Sequence, residues 1–179
     1  MSAHLHVVTG GPGAGKTSLI EALARKGIAH SPEAGRAIIR DQMRIGGPAL
    51  PWADRTAYAE QMLGWEMRAH QAASALPGPV LMDRGLPDVI GYLTLCGLPV
   101  PAHALRAAEV FRYNRQVFLA PFWPEIYVGD AERRQHAAEA EATARVMAET
   151  YARLGYRTVD LPRADLETRV AFVLRRIGG

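Results

Sequence analysis

Two rhythms of hydrophobic and polar positions run along the chain. Short apolar or β-branched runs at His4–Thr9, Pro79–Asp83, Gln116–Ala120 and Tyr156–Leu161 predict strands, and Ile28–His30 predicts a fifth, very short one. Between them the apolar spacing lengthens to that of helices. Leu19, Ile20 and Leu23 share one face of a helix that ends near Gly27. Glu33–Arg44 predicts a second helix, stopped by Gly46-Gly47-Pro48. Asp54 is a suitable N-cap for a long helix to about Leu76. Further helices are expected over Asp88–Leu95, over Ala102–Tyr113, over Ala131–Leu154 as one helix or two, and from a cap at Asp165 to Ile177. Strands alternate with helices throughout, which predicts a parallel sheet covered on both faces. No repeat, low-complexity tract or linker interrupts the order. Residues 1–179 therefore read as a single α/β domain of three layers, α/β/α, with a five-stranded parallel sheet.

Composition changes this picture little. The 179 residues are 49% apolar and 22% charged, which is globular usage and excludes a disordered chain. The single cysteine, Cys96, excludes an intramolecular disulfide framework, fits a reducing compartment, and reads as a small core residue. The longest uncharged stretch, Val89–Leu105, is broken by Pro99 and Pro101 and contains His103, so no membrane span is expected. The opening MSAHLHVVTGG lacks a basic start, an apolar run of signal length and a small-residue cleavage site, so a cytoplasmic protein is expected. The net charge of +3 is dispersed, with no run of five like charges, and no nucleic-acid partner is expected. Of 21 basic residues only two are lysine, Lys16 and Lys26, which makes Lys16 conspicuous.

Lys16 closes the segment Gly10-Gly11-Pro12-Gly13-Ala14-Gly15-Lys16-Thr17, which meets every fixed position of G-x-x-x-x-G-K-[ST]. It follows a predicted strand and, with Ser18, opens a predicted helix. Glycines let backbone N–H groups approach phosphate oxygens, and the helix start presents unpaired N–H groups with a positive dipole end. Lys16 is placed to reach the β- and γ-phosphates, and the Thr17 hydroxyl to ligate Mg²⁺. ATP and Mg²⁺ are the cofactors this predicts.

Absences narrow the subclass. Neither lysine stands in an Asn-Lys-x-Asp guanine-reading element, and no Ser-Gly-Gly signature of transport ATPases is present. The second acidic strand ends Asp83-Arg84, where ring-forming ATPases carry Asp-Glu with a water-polarising glutamate. Asp83-Arg84-Gly85 instead resembles the acid–arginine element of nucleoside and nucleotide kinases such as thymidylate kinase. That resemblance places Asp83 near Mg²⁺ or the acceptor hydroxyl, and Arg84 on phosphate. Kinases with this chain order carry a carboxylate after the second strand, so Glu33 and Asp83 are alternative bases. Arg36, Arg40 and Arg44 line one helix face, with Arg36 nearest the strand end. A lid over about 121–150 is expected, with Arg133 and Arg134 as its arginines. Arg112, Asn114 and Arg115 are further candidates. Trp52 and Trp123 sit in predicted loops, either to cover a ring or to pack.

The blocks TGGPGAGKTSLIEAL, EAGRAIIR, GGPALPW, DRGLPDVIGYL, RYNRQVFLAPFWPEIY and DAERRQ together resemble the bacterial AAA-type predicted ATPases, grouped with ribosylnicotinamide kinase and other small P-loop kinases. The resemblance covers the whole chain. It implies a P-loop fold, here expected in the strand order 2-3-1-4-5, and ATP binding, without naming an acceptor. Transfer of the γ-phosphoryl to a small nucleoside-like metabolite is the first reading. A slow, nucleotide-dependent regulatory ATPase is the alternative.

Overall fold

The computed structural model describes residues 2–123 and 137–178. Its order is β1 (Leu5–Gly10), α1 (Lys16–Ala24), β2 (Ala29–His30), α2 (Ala34–Ile45), α3 (Arg55–Ser74), β3 (Val80–Asp83), α4 (Leu86–Leu95), α5 (Ala102–Val110), β4 (Gln116–Ala120), α6 (Ala137–Arg153), β5 (Arg157–Asp160) and α7 (Leu166–Ile177). The five strands form one sheet in the order β2-β3-β1-β4-β5, and every pair is parallel. Val8 is matched with Asp83 on one side and with Phe118 on the other, so β1 is the centre of the sheet.

Period-two alternation divides the core. Leu5 and Val7 on β1, Val80 and Met82 on β3 and Val117 on β4 face a cluster with α3–α6. Val8, Leu81, Phe118 and Ala120 face the opposite way, onto Leu19 and Leu23 of α1 and Val170 and Val173 of α7. Both faces of β1 and β3 are buried, which is why those strands are mostly apolar with little polar alternation. Ala34, Ile38, Ile39, Leu50 and Tyr58 make a smaller cluster between α2 and α3.

The predicted elements differ from the observed ones mainly at their ends. Helix α4 starts at Leu86, two residues earlier than expected, because Asp88 sits inside its first turn and accepts from the Gly85 N–H at 3.0 Å. Helix α5 stops at Val110 instead of Tyr113. There Asn114 N–H turns to the Leu5 carbonyl at 2.8 Å, and Tyr113 is fully buried. Asp54 and Asp165 cap their helices as expected, accepting from Ala57 and Thr168. Cys96 lies half-buried at the C-terminal end of α4 and not in the core. Of the expected lid, residues 124–136, with Arg133 and Arg134, lie outside the described residues. Within residues 137–150, Ala140, Ala144 and Met147 of α6 are buried in the fold. Among the described residues no helix is long and apolar enough to cross a membrane.

Gly10 shows how tightly the strand end is fitted. Its φ is +131°, and a Cβ there would lie 2.2 Å from the Ala120 carbonyl oxygen on the neighbouring strand. Gly10→Ala should therefore cost at least about 2 kcal/mol of stability, measured as a lowered urea midpoint; an unchanged midpoint would contradict this packing.

Candidate active site

The link from β1 to α1 forms a cradle at the carboxyl edge of the sheet. Gly15, in the left-handed region, is the N-cap of α1, and no side chain caps the first turn. The N–H groups and positive dipole end of α1 are thus left for an anion. Lys16 is buried and donates from Nζ to the Gly11 carbonyl at 2.5 Å. Arg169 of α7, also buried, donates to the Ala14 carbonyl at 3.1 Å and fastens the loop to the helix that packs beside α1. Thr17 and Ser18 are exposed. Pro12–Ser18, Glu33 and Arg36 together line a cavity of ≈ 330 Å³.

Beside the cradle, β3 ends in Asp83. Its N–H donates to Ser31 Oγ at 3.1 Å, just past β2. Its Oδ1 is buried and, among the described residues, has no hydrogen-bond partner. Burial raises the Asp83 pKa; Lys16 and Arg84 oppose the rise, and Asp88 adds to it. Such an oxygen, near a phosphate cradle lined by the exposed Thr17, suits a hard cation such as Mg²⁺.

Arg84 adopts φ +75°, a left-handed conformation that no other non-glycine shows among the described residues. That geometry costs about 1–3 kcal/mol and persists only where neighbours enforce it. Here the Arg84 N–H donates to the Val8 carbonyl at 3.0 Å, and the guanidinium lies 3.1 Å from Asp88 and 3.6 Å from Glu33. Burial works against the Arg84 charge, but Asp88 and Asp83 outweigh it and hold the guanidinium above its usual range. Glu33 also reaches Arg36 at 3.4 Å. Asp88 accepts from Arg84, from Gly85 N–H, from Tyr151 Oη at 2.6 Å and from Thr9 Oγ1.

A second cavity of ≈ 110 Å³ adjoins the cradle and shares Pro12 with it. Arg84, Asp88, Glu66, Tyr58 and Tyr92 bring polar groups to its wall, and Ile39, Met62, Val89 and Met147 line it with apolar surface. Tyr58 and Tyr92 meet edge to face with centroids 5.3 Å apart.

The AAA domain family model matches residues 5–169. The chain belongs to that family. A comparison with curated proteins gives no match. Among solved structures, deoxyadenosine kinase from M. mycoides with dCMP and a flexible dCDP bound has a TM-score of 0.67 at 12% identity, over 97% of this chain and 98% of that one. Thymidylate kinase from Ehrlichia chaffeensis has a TM-score of 0.62 at 12% identity, over 99% of each chain. NadR protein in complex with NR has a TM-score of 0.66 at 19% identity over 99% of this chain, which spans only 52% of NadR. At these identities the likeness shows the fold, that of the small P-loop nucleoside and nucleotide kinases.

The expected site residues divide by position. Gly10 to Ser18, Glu33, Arg36, Asp83 and Arg84 gather at the carboxyl edge of the sheet. Arg40 and Arg44 are exposed further along α2. Arg112 and Asn114 lie at the opposite edge and are structural. Arg112 donates to the Leu154 carbonyl at 3.0 Å and stacks 4.1 Å over Tyr156, and Asn114 accepts from Gln116 N–H at 2.9 Å. Trp52 is 53% exposed. Sequence reasoning missed Asp88, Tyr151, Glu66 and Arg169. An acid three residues after Gly85, behind Pro87, was a usable signal for Asp88. Nothing local marks the other three, whose roles come from contacts across the fold.

Two stability predictions follow from this geometry. Tyr151→Phe deprives the buried Asp88 of one donor and should cost about 1–2 kcal/mol, read by urea unfolding. Glu66 is held well above the ordinary carboxyl range, first by burial and then by Asp88 and Asp83, with Arg84 opposing. Above the ordinary value the unfolded chain releases a proton that the native state keeps, so native stability declines as pH rises through that window. Glu66→Gln should match the wild type near pH 5 and exceed it near pH 8; a variant less stable at pH 8 would contradict the assignment.

Proposed function

We propose that the protein is an ATP-dependent kinase of small nucleoside-like metabolites. The observation that carries this reading is the second cavity, which opens beside the phosphate cradle and is tied to it by Pro12 and the Glu33–Arg84 ion pair. A nucleotide and an acceptor can thus lie side by side, which raises the effective concentration of the reacting pair. The fold shared with nucleoside and nucleotide kinases supports the same reading.

In this reading the Gly10–Ser18 backbone and Lys16 hold the ATP phosphates. Thr17 and Asp83 would hold Mg²⁺, which when bound neutralises charge on the phosphate oxygens. Glu33 lines the cradle and pairs with Arg84 from the second cavity, which supports it as the carboxylate beside the acceptor hydroxyl. Asp83 lines neither cavity. Glu33 is therefore the preferred base. The acceptor oxygen forms its bond to phosphorus as the bond to ADP breaks, and the hydroxyl proton passes to the Glu33 carboxylate. Arg84 and Arg36 balance the charge that develops. Arg133 and Arg134 remain lid candidates in this scheme. The regulatory ATPase reading gains no support from Arg84, which stands where a water-polarising glutamate would be needed.

Purified protein with Mg²⁺, γ-labelled ATP and a panel of nucleosides and nucleotides should transfer label to an acceptor. Lys16→Ala should abolish transfer, and Glu33→Gln should lower kcat by about 10²-fold or more with KM for ATP nearly unchanged. Label released only as inorganic phosphate, at one rate with or without the panel, would sink the kinase reading.

A further inference from the structure

The second cavity contains a carboxyl that the fold itself does not use. Glu66 sits midway along α3, is 4% exposed and lines the cavity wall. Among the described residues no hydrogen bond or ion pair joins its carboxyl, whose oxygens are open to the cavity. The nearby cation, Arg84, is held by Asp88 and Glu33. Asp88 and Asp83 carry the same sign as Glu66, and the Tyr58 hydroxyl, pushed up to about 12 by burial, stays neutral. Buried polar groups in folded proteins are partnered almost without exception, because desolvating one without a partner costs stability. A leucine here would satisfy the packing of α3 at no such cost. A carboxyl kept at the wall of a cavity instead marks a place where a ligand supplies the donor.

The surroundings restrict that ligand. A single water needs about 10–15 Å³ of such a cavity, so ≈ 110 Å³ has room for a ring-sized group. Met62, Val89 and Met147 offer flat apolar contact, and the rings of Tyr58 and Tyr92 add an aromatic corner. At the polar end Asp88 is a further carboxylate, and the Arg84 cation beside it is already paired with Asp88 and Glu33, so a group that presents a donor suits Glu66 better than one that presents only lone pairs. A planar ring with an N–H donor fits both ends.

We propose that Glu66 determines specificity by accepting a hydrogen bond from the exocyclic amino group of the acceptor's nitrogenous ring, so that the cavity selects amino-bearing nucleosides. This rests on the reading of the second cavity as the acceptor site. A protonated carboxyl still accepts through its carbonyl oxygen, so the preference does not depend on which form Glu66 takes.

Two pairs of probes differ by the amino group alone: adenosine against purine riboside, and cytidine against 2-pyrimidinone riboside. Affinity without ATP, by calorimetry, and kcat/KM with Mg²⁺–ATP are measured for each. The amino-bearing member should be favoured by about ten- to a hundred-fold in at least one pair. Glu66→Leu should bring that ratio close to one. Glu66→Gln, which keeps the shape and one acceptor oxygen, should retain part of it, and KM for ATP should hold in both variants. Equal constants within both pairs, a ratio that survives Glu66→Leu, or no binding of any of the four probes would overturn the proposal. Selective binding without transfer would keep the role of Glu66 and remove the kinase reading; transfer without selectivity would do the reverse.

Discussion

The carboxylate of Asp88 is the point on which the active edge is hung. Its partners come from separate parts of the chain: Thr9 at the end of β1, Arg84 and Gly85 in the turn after β3, and Tyr151 on α6. A buried charge is tolerated only when its lone pairs are taken up and its sign is met. Asp88 meets both conditions with one cation and three neutral donors. Each donor is thereby fixed in place, so the sheet, α4 and α6 share one geometry. The left-handed Arg84 follows from it, since the ion pair to Asp88 holds the guanidinium while the main chain bonds Val8.

From this anchor a row of alternating charges crosses to the phosphate cradle, Asp88 to Arg84 to Glu33 to Arg36. The Asp88 end is buried, and the far end, at Arg36, is 39% exposed. A phosphoryl group moving between two cavities needs cationic charge on its path and a carboxylate near the attacking oxygen. The row supplies both. Aspartate followed by arginine, where ring-forming ATPases have aspartate followed by glutamate, has a physical consequence here. The arginine is tied into the row, and a second acid at that position would have left Asp88 without its cation.

The architecture was legible because parallel strands buried on both faces have little freedom in composition. His4–Thr9 and Pro79–Asp83 could hardly be anything else, and the glycine-rich loop between strand and helix declared the phosphate site. Helix ends were less legible. The early start of α4 depends on a carboxylate that serves as both cap and hub, and the early end of α5 on a bond from Asn114 to Leu5, distant in sequence. Glu66 was hidden for a different reason. On a long helix with Glu60 exposed and Glu66 buried, only the fold decides which acid meets water. Arg169 and Tyr151 likewise look like ordinary surface and core residues until α7 and α6 are docked.

The position of the second cavity follows from how the core is divided. Residues on α2, α3 and the 46–53 loop form their own small cluster, and Met62 and Tyr92 pack against both that cluster and the main core. The cavity lies along this seam, lined by both shared residues. A group seated there would touch both packing units at once, with the charged row, half of it carried by Glu33 and Arg36 at the start of α2, closing one end of the cavity.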